Sequence, residues 1–302
     1  AVTSSGSANT LNISSTGRVE NADTDAIFNR GKITSLQNSG TITSTASGGN
    51  GVNNLAGGTI TPLNNVGIIS GTSRGITNGS NSTIGVITNS GSVSGLYGVV
   101  NQSGTINGII NSGTIATTGT SNSYGIYNIG GTIETISNSG AGASITSGAG
   151  AINNSGIIVN IENSNSALIG GSTNAIENSG FIVNISNSSY ITSGGANAIL
   201  NDATGSIDNI TNSGTIASSQ VAITNNGLIN TVVNSGTIAG DSGNVADKHA
   251  GIRNKSTGSI ESIQNSGTIS GTYAIDNIRL RGVSGYIGTI NNSGTNASIS
   301  AS

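Results

Sequence analysis

The chain has 302 residues, a formal net charge of −3, only 7% charged residues and 48 glycines. Its few Lys and Arg are scattered, so no basic stripe exists that would neutralise a phosphate backbone, and we expect no nucleic-acid partner. Its apolar runs are far shorter than a bilayer span, which argues against direct membrane insertion, and the lack of cysteine excludes disulfides and thiolate metal sites.

A glycine-rich, polar composition also raises the possibility of disorder. Disordered segments, however, are usually poor in isoleucine and rich in charge or proline. Here Pro62 is the only proline, and isoleucine recurs along the whole chain in short runs. Because β-branched residues favour pleated strands, the composition predicts a folded all-β protein.

The first 25 residues match the rest of the chain poorly, although Leu11, Ile13 and Val19 fit a degenerate coil. Terminal units of a solenoid are expected to be atypical because they cover an open sheet edge. We therefore predict a degenerate N-terminal coil or cap at 1–25 and one continuous repeat domain at 26–302. Residues 296–302 contain no polar cap, so we expect the natural chain to continue beyond Ser302.

A motif of the form [A/G]-[I/V]-x-N begins eleven times from residue 26 onward, at spacings of 23–29 residues. Fixed periods of this size are typical of stacked repeat architectures. The asparagine of this motif stands at Asn29, Asn54, Asn78, Asn101, Asn128, Asn154, Asn178, Asn201, Asn225, Asn254 and Asn277.

A second motif, close to I-x-N-S-G, follows in every unit. Its asparagine stands at Asn38, Asn65, Asn89, Asn111, Asn138, Asn163, Asn187, Asn212, Asn234, Asn265 and Asn292. Glycine lies two residues later in nine of the eleven units, and the exceptions are Asn165 and Ser189. Since asparagine is the next best residue at positive φ, we interpret this position as a left-handed turn residue.

A third short run, usually T-I-x, completes each unit, which gives three strands of three to five residues. In the first unit Ile27, Asn29, Ile33, Leu36, Asn38 and Ile42 are expected to point inward, and Phe28, Gln37, Thr41 and Thr43 outward. Parallel stacking places every motif beside its own copy, and parallel crossovers are nearly always right-handed. The prediction is a right-handed parallel β-helix of about 11 coils with three short strands each, roughly 50 Å long at ~4.8 Å per coil.

The inward asparagines suit this geometry. A buried amide without partners is destabilising by roughly 1–3 kcal/mol. An amide at the inner edge of a turn bonds local backbone and the identical amides of the coils above and below. The repeats therefore predict two internal Asn ladders.

The repeated I-x-N-S-G-T-I pattern resembles the passenger region of bacterial autotransporters, the type V secreted proteins. The resemblance covers residues 26 to 302. It implies a right-handed β-helix exported to the extracellular face of the bacterial outer membrane, and a C-terminal membrane barrel in the full-length chain. Members of that family act as adhesins, autoaggregation factors, toxins or carriers of enzyme domains. The matching residues build the coil, so they are specific for the fold and uninformative about activity.

No catalytic constellation emerges from the sequence. Gly240-Asp241-Ser242-Gly243 resembles a serine-protease motif, but the only histidine, His249, follows the serine, and the repeat context does not fit. Gly48 to Asn53 resembles one calcium-binding nonapeptide, but it occurs once and has asparagine in place of the carboxylate. The acidic residues are mostly isolated, whereas β-helix hydrolases need paired carboxylates on one face. We therefore predict no enzyme activity, no metal and no cofactor.

Three features are candidates for a binding surface. Arg74, Tyr97 and Tyr124 precede the starts of consecutive units, and such a ladder is able to stack a sugar ring or a partner side chain, or else only to stabilise the rod. The other two are turns of unusual length, where functional residues are commonly grafted, or where length simply drifts. One turn carries Asp241, Asp247, Lys248 and His249, and the other carries Arg279 and Arg281.

A weakly charged rod lined with Ser, Thr and Asn favours a surface adhesin or self-associating scaffold, whose partner is a host-cell glycan or protein, or the rod itself. One alternative is a scaffold that presents a toxin or enzyme domain. Another is ice binding, for which flat hydroxyl arrays are suited. The paired outward hydroxyls, however, occur in only five units: Thr41/Thr43, Ser92/Ser94, Ser144/Thr146, Thr268/Ser270 and Ser298/Ser300.

Overall fold

Three parallel β-sheets run along the molecule in a computed structural model that describes residues 2–241, 249–280 and 282–301. Each coil adds one strand, or one pair of short strands, to every sheet. We call them sheets 1, 2 and 3, in the order in which the chain enters them. Within the described part of the chain, no helix has the length and hydropathy to cross a bilayer.

The strands have the following bounds. Sheet 1 contains Val2–Ser4, Ile27–Asn29, Asn50–Asn54, Arg74–Asn78, Tyr97–Gln102, Tyr124–Ile129, Gly150–Asn154, Asn174–Asn178, Asn197–Asn201, Val221–Asn225, Ala250–Asn254 and Tyr273–Asn277. Sheet 2 contains Ser7–Ala8, Leu11–Ile13, Lys32–Ile33, Leu36–Asn38, Thr59–Ile60, Leu63–Asn65, Thr83–Asn89, Thr105–Asn111, Thr132–Ser139, Ile157–Ser164, Phe181–Asn187, Ser206–Asn212, Leu228–Asn234, Ser259–Asn265 and Tyr286–Asn292. Sheet 3 contains Arg18–Asn21, Thr41–Ser44, Ile68–Gly71, Ser92–Gly95, Thr114–Thr117, Ser144–Ser147, Leu168–Gly171, Tyr190–Ser193, Thr215–Ser218, Thr237–Ala239, Thr268–Gly271 and Ser298–Ala301.

The register places each repeat motif directly beside its own copy in the neighbouring coils. Asn78, for example, pairs with Asn54 of the preceding coil and Asn101 of the next. This arrangement confirms the predicted all-β parallel solenoid of about eleven repeat units, with one asparagine from each motif stacked along the interior.

The core is a set of columns of buried isoleucines, one or two for each sheet. The predicted alternation holds in the first unit: the six inward side chains are buried and the four outward ones are partly exposed. Each buried isoleucine contributes roughly 1.5–3 kcal/mol relative to an exposed one. Because coils contact only their neighbours, this stabilisation accumulates along the rod.

Residues before Ala26 add one further set of strands below the first repeat unit. Val2–Ser4 pairs in parallel with Ile27–Asn29, and Leu11–Ile13 pairs with Leu36–Asn38. Ser4 and Ile13 occupy the positions that asparagines hold in later coils. The ladders therefore start one coil later than the sheets.

The glycine two residues after the second asparagine has a different cause from the one predicted. Positive φ occurs at Gly140, Gly294 and Asn165. In seven other coils a Cβ at this glycine would lie 2.0–2.3 Å from a backbone carbonyl oxygen of the preceding coil: Gly40, Gly67, Gly91, Gly113, Gly214, Gly236 and Gly267. Their backbones stack too closely for any side chain, so the turn selects glycine mainly by contact and not by backbone conformation.

The turn near the C-terminus forms a small hairpin instead of an irregular loop. Arg279–Leu280 pairs antiparallel with Val283–Ser284. The hairpin lies between the last strand of sheet 1 and the last strand of sheet 2. It is a local addition that leaves the coil register intact, since Tyr286 still pairs with Ser259.

Candidate binding surface on sheet 1

The two predicted Asn ladders are continuous hydrogen-bonded columns. In both, the Nδ2 of each asparagine donates to the Oδ1 of the asparagine in the next coil, at 2.7–3.0 Å. The same Nδ2 also donates to backbone carbonyls of its own turn or of the coil above, as in Asn187 to Ser189 and Thr215. The ladder asparagines are buried, and their amide groups are occupied by hydrogen bonds within the coils. We therefore expect any ligand site to lie on the outer faces of the sheets.

Three tyrosines form an aromatic cluster on the outer face of sheet 1. The ring centroids of Tyr97 and Tyr124 are 6.2 Å apart, and those of Tyr97 and Tyr127 are 5.7 Å apart. The Tyr124 and Tyr127 centroids lie 5.0 Å apart with tilted planes. These spacings are typical of favourable aromatic pairs. Arg74 pairs with Tyr97 in the register of the sheet, and the Tyr97 ring stacks on the rings of Tyr124 and Tyr127.

The two coils above this cluster replace aromatic side chains with small and polar ones. Gly150 and Asn153 pair with Tyr124 and Tyr127, respectively. One coil further, Asn174 pairs with Gly150, and Glu177 pairs with Asn153. A glycine thus lies between an aromatic residue and an amide in one outer row. These partners of Tyr124 were not among the residues predicted from the sequence.

This change of side-chain size creates a cavity of about 210 Å³ that is open to solvent. Its lining consists of Tyr124, Ala149, Gly150, Thr173, Asn174, Glu177 and the turn residues Thr120, Ser121 and Asn122. Ligand pockets for larger molecules commonly measure about 300–1,000 Å³. The volume therefore suits a single small ring and not an extended molecule.

The carboxyl group of Glu177 is the main titratable group in this lining. Burial raises its pKa above the ordinary glutamate value, and the negative charge of Asp202 raises it further. Hydrogen bonds from the amides of Asn174 and Asn153 oppose both effects. The pKa of Asp202 is itself raised by burial. The carboxyl group of Glu177 is thus a partly desolvated hydrogen-bond acceptor in one wall of the cavity.

The raised pKa of Glu177 gives a direct stability prediction. A carboxyl whose pKa is raised on folding destabilises the folded state above that pKa, and the cost disappears below the pKa of the unfolded chain. We expect Glu177→Gln to raise the melting temperature at pH 7 relative to the parent protein, and this difference to disappear in acid, as calorimetry at several pH values would show. Glu162→Gln, at an exposed position of sheet 2, is the control for loss of one negative charge. A constant difference across pH would contradict the assignment.

The two long turns, one at Asp241 to His249 and one at Arg279 to Arg281, come more than 100 residues after the tyrosine cluster in the sequence. Asp241 is exposed, and its Oδ2 lies 3.6 Å from the Nδ1 of His249. His249 itself is only 7% exposed. Arg279 is exposed on the C-terminal hairpin. Asp247, Lys248 and Arg281 lie outside the described residues, so their place in the predicted surface stays a prediction. No group of three or more His, Asp or Glu residues positioned to hold a metal ion occurs among the residues that the structure describes.

In comparisons with known proteins, no family model matches the chain, and no curated protein or solved structure matches it either.

Proposed function

We propose that this chain is an adhesive rod at the extracellular surface of a bacterium, comparable to the autotransporter passengers that its repeat resembles. In this proposal it binds second copies of itself and other surface partners through the outer faces of its sheets, and it performs no catalysis. The resemblance of the repeat supports the location, and the exposed apolar side chains of the faces support the adhesive role.

The observation that carries the proposal is two pairs of neighbouring apolar side chains, each with one exposed and one half-buried member. On sheet 3, Leu168 pairs with Tyr190, whose side chain is 50% exposed. On sheet 2, Ile157 pairs with Phe181, and Ile157 is 44% exposed. Exposed apolar groups that lie next to each other are typical of protein interaction sites. Two different faces of the same coils therefore offer apolar contact.

The surroundings of these pairs favour contact between identical rods. The sheet 3 column that contains Leu168 and Tyr190 otherwise consists mostly of threonine and serine, such as Ser144 and Thr215. With 7% charged residues, two copies meet with little electrostatic repulsion. The apolar residues Ile68, Leu168 and Tyr190 also interrupt the hydroxyl array, which favours adhesion over ice binding.

Sedimentation velocity over a wide concentration range tests the proposal. We expect reversible self-association with little dependence on salt concentration, since exposed charges contribute little. The double variant Leu168→Ser/Tyr190→Ser should weaken association by roughly 10- to 100-fold, because burying one such side chain is worth roughly 1.5–3 kcal/mol.

The matched control is Val66→Ser/Tyr273→Ser, which also removes one aliphatic and one tyrosine side chain, both exposed but on different parts of the coil. Its association should equal that of the parent protein. A parent protein that stays monomeric at the highest concentration, or two double variants with equal effects, would refute the adhesive role of this face.

A further inference from the structure

The cavity beside Tyr124 is formed by the absence of one side chain in an otherwise filled row. Tyr124, Gly150 and Asn174 occupy equivalent positions in three successive coils of sheet 1. The ring of Tyr124 leans toward Gly150, since a Cβ on Gly150 would lie 3.0 Å from Cδ1 and Cε1 of that ring, and the cavity lies between this ring and Asn174 of the next coil. The cavity volume of about 210 Å³ matches one six-membered ring with its hydroxyl groups.

The walls of the cavity differ in chemistry. One wall is the aromatic ring of Tyr124, which is held by the neighbouring rings of Tyr97 and Tyr127. The opposite wall presents the amide of Asn174 and the carboxyl of Glu177, whose Oε2 accepts a hydrogen bond from Asn174 at 3.4 Å. Asn174 is fixed from the other side, since its Oδ1 accepts from Asn197 at 2.9 Å. The polar groups are therefore positioned before any ligand arrives.

A third side is supplied by the turn before Tyr124. Residues Thr120 to Asn122 belong to a turn between Thr114–Thr117 and Tyr124–Ile129, and they line the cavity. Asn122 has a φ of 48°, which is compatible with asparagine in a turn. This turn closes the side of the cavity toward sheet 3. Its residues add hydroxyl and amide groups to the lining.

We infer that this cavity binds one neutral pyranose ring of a cell-surface glycan. The apolar face of the sugar packs against Tyr124, whose ring carries negative charge density on its face, and the sugar hydroxyls donate to Glu177 and exchange hydrogen bonds with Asn174. The inference deepens the proposed adhesive function by naming a ligand class, and it concerns a different face from the one proposed for self-association.

The charge around the cavity sets the sugar class. Glu177 and Asp202 lie close enough to raise the pKa of Glu177, so the polar wall disfavours a second negative charge. The nearest arginine of the same row, Arg74, is separated from Gly150 by the coils of Tyr97 and Tyr124. Neutral sugars are therefore expected to bind, and sialic acid is not.

Saturation-transfer-difference NMR on the intact chain is the test, with methyl β-D-galactopyranoside, methyl α-D-mannopyranoside, N-acetylglucosamine and the anionic N-acetylneuraminic acid as probes. At least one neutral probe should bind in the millimolar range, with its ring protons receiving the strongest saturation. N-acetylneuraminic acid should bind at least 10-fold more weakly.

Two variants remove the site in opposite ways. Gly150→Val displaces the ring of Tyr124 and occupies the cavity, because a Cβ at this position lies 3.0 Å from Cδ1 and Cε1 of Tyr124. A valine is present in the same row at Val221. Tyr124→Ala removes the aromatic wall. Both should weaken sugar binding at least 10-fold, while Tyr273→Ala, a tyrosine of the same row in the last coil, should leave it unchanged. Melting curves confirm that each variant is folded.

The inference is overturned if no neutral probe binds, if the anionic probe binds best, or if Tyr124→Ala and Tyr273→Ala behave alike. If Gly150→Val alone unfolds, the comparison of the two tyrosine variants still decides. Sedimentation of the same samples separates this result from the proposed function, because self-association through sheet 3 should persist in the variants that lose sugar binding. Loss of self-association in the Leu168→Ser/Tyr190→Ser variant should conversely leave sugar binding intact.

Discussion

Replacement of Asn212 by alanine is expected to lower the free energy of unfolding by about 2–5 kcal/mol, although only an uncharged side chain is removed. Asn212 is fully buried. Its Oδ1 accepts from Asn187 at 2.8 Å, and its Nδ2 donates to the Oδ1 of Asn234 at 2.8 Å and to the carbonyl of Thr237 at 3.0 Å. The variant leaves the Oδ1 of Asn234 without its donor in the interior and adds a small cavity, so it weakens two coil interfaces together.

The same strand provides a matched control. Asn209 also forms an amide-to-amide hydrogen bond with the neighbouring coil, from its Nδ2 to the Oδ1 of Asn184 at 3.0 Å. Its side chain, however, is exposed, so water replaces the lost partner. Asn209→Ala should therefore cost less than about 1 kcal/mol in urea unfolding. Equal shifts of the two unfolding midpoints would show that the interior ladder does not stabilise the rod more than an exterior one.

The fold was predictable from the sequence because the solenoid repeats one set of interactions in every coil. Ile76 and Asn78, for instance, pair with the equivalent residues of the next coil, and the motif that contains them occurs eleven times in the sequence. The glycine two residues after the second ladder asparagine was harder to interpret. Glycine is favoured both where φ is positive and where two backbones approach closely, and the sequence does not distinguish these two causes. Asn165 has a positive φ and suggested that backbone conformation selects glycine at this position. At most of the equivalent positions in other coils, close contact with the preceding coil selects it instead.

The site was only partly predictable because it depends on which side chains become neighbours two coils apart. Tyr97 and Tyr124 were identified by their common position before a motif. The partners Gly150, Asn174 and Glu177 were missed, although the sequence contained a signal: Glu177, like Tyr127, directly precedes a ladder asparagine. Aligning the coils on those asparagines places both residues in one outer row. The wall formed by Thr120 to Asn122 has no such marker, since turn lengths vary.

The second large effect is expected from Gly91→Ala, which should destabilise the chain by about 3 kcal/mol. A Cβ on Gly91 would lie 2.1 Å from the carbonyl oxygen of Gly67 and 2.5 Å from that of Val66. The Gly67 oxygen is held in place because it accepts a hydrogen bond from the amide of Ser92 at 2.9 Å. The added methyl group therefore cannot be accommodated by a side-chain rotation, and the two coils must separate locally.

Thermal unfolding followed by circular dichroism measures this loss, with Gly194→Ala as the control. Gly194 is exposed, and an added Cβ there meets nothing within 4 Å. Since alanine also restricts the unfolded chain, Gly194→Ala should leave the melting temperature unchanged or raise it slightly. The difference between the two melting temperatures separates the effect of the backbone contact from the effect of losing glycine's conformational freedom. If Gly91→Ala melted together with the control, glycine at this turn would be selected for something other than the close stacking of successive coils.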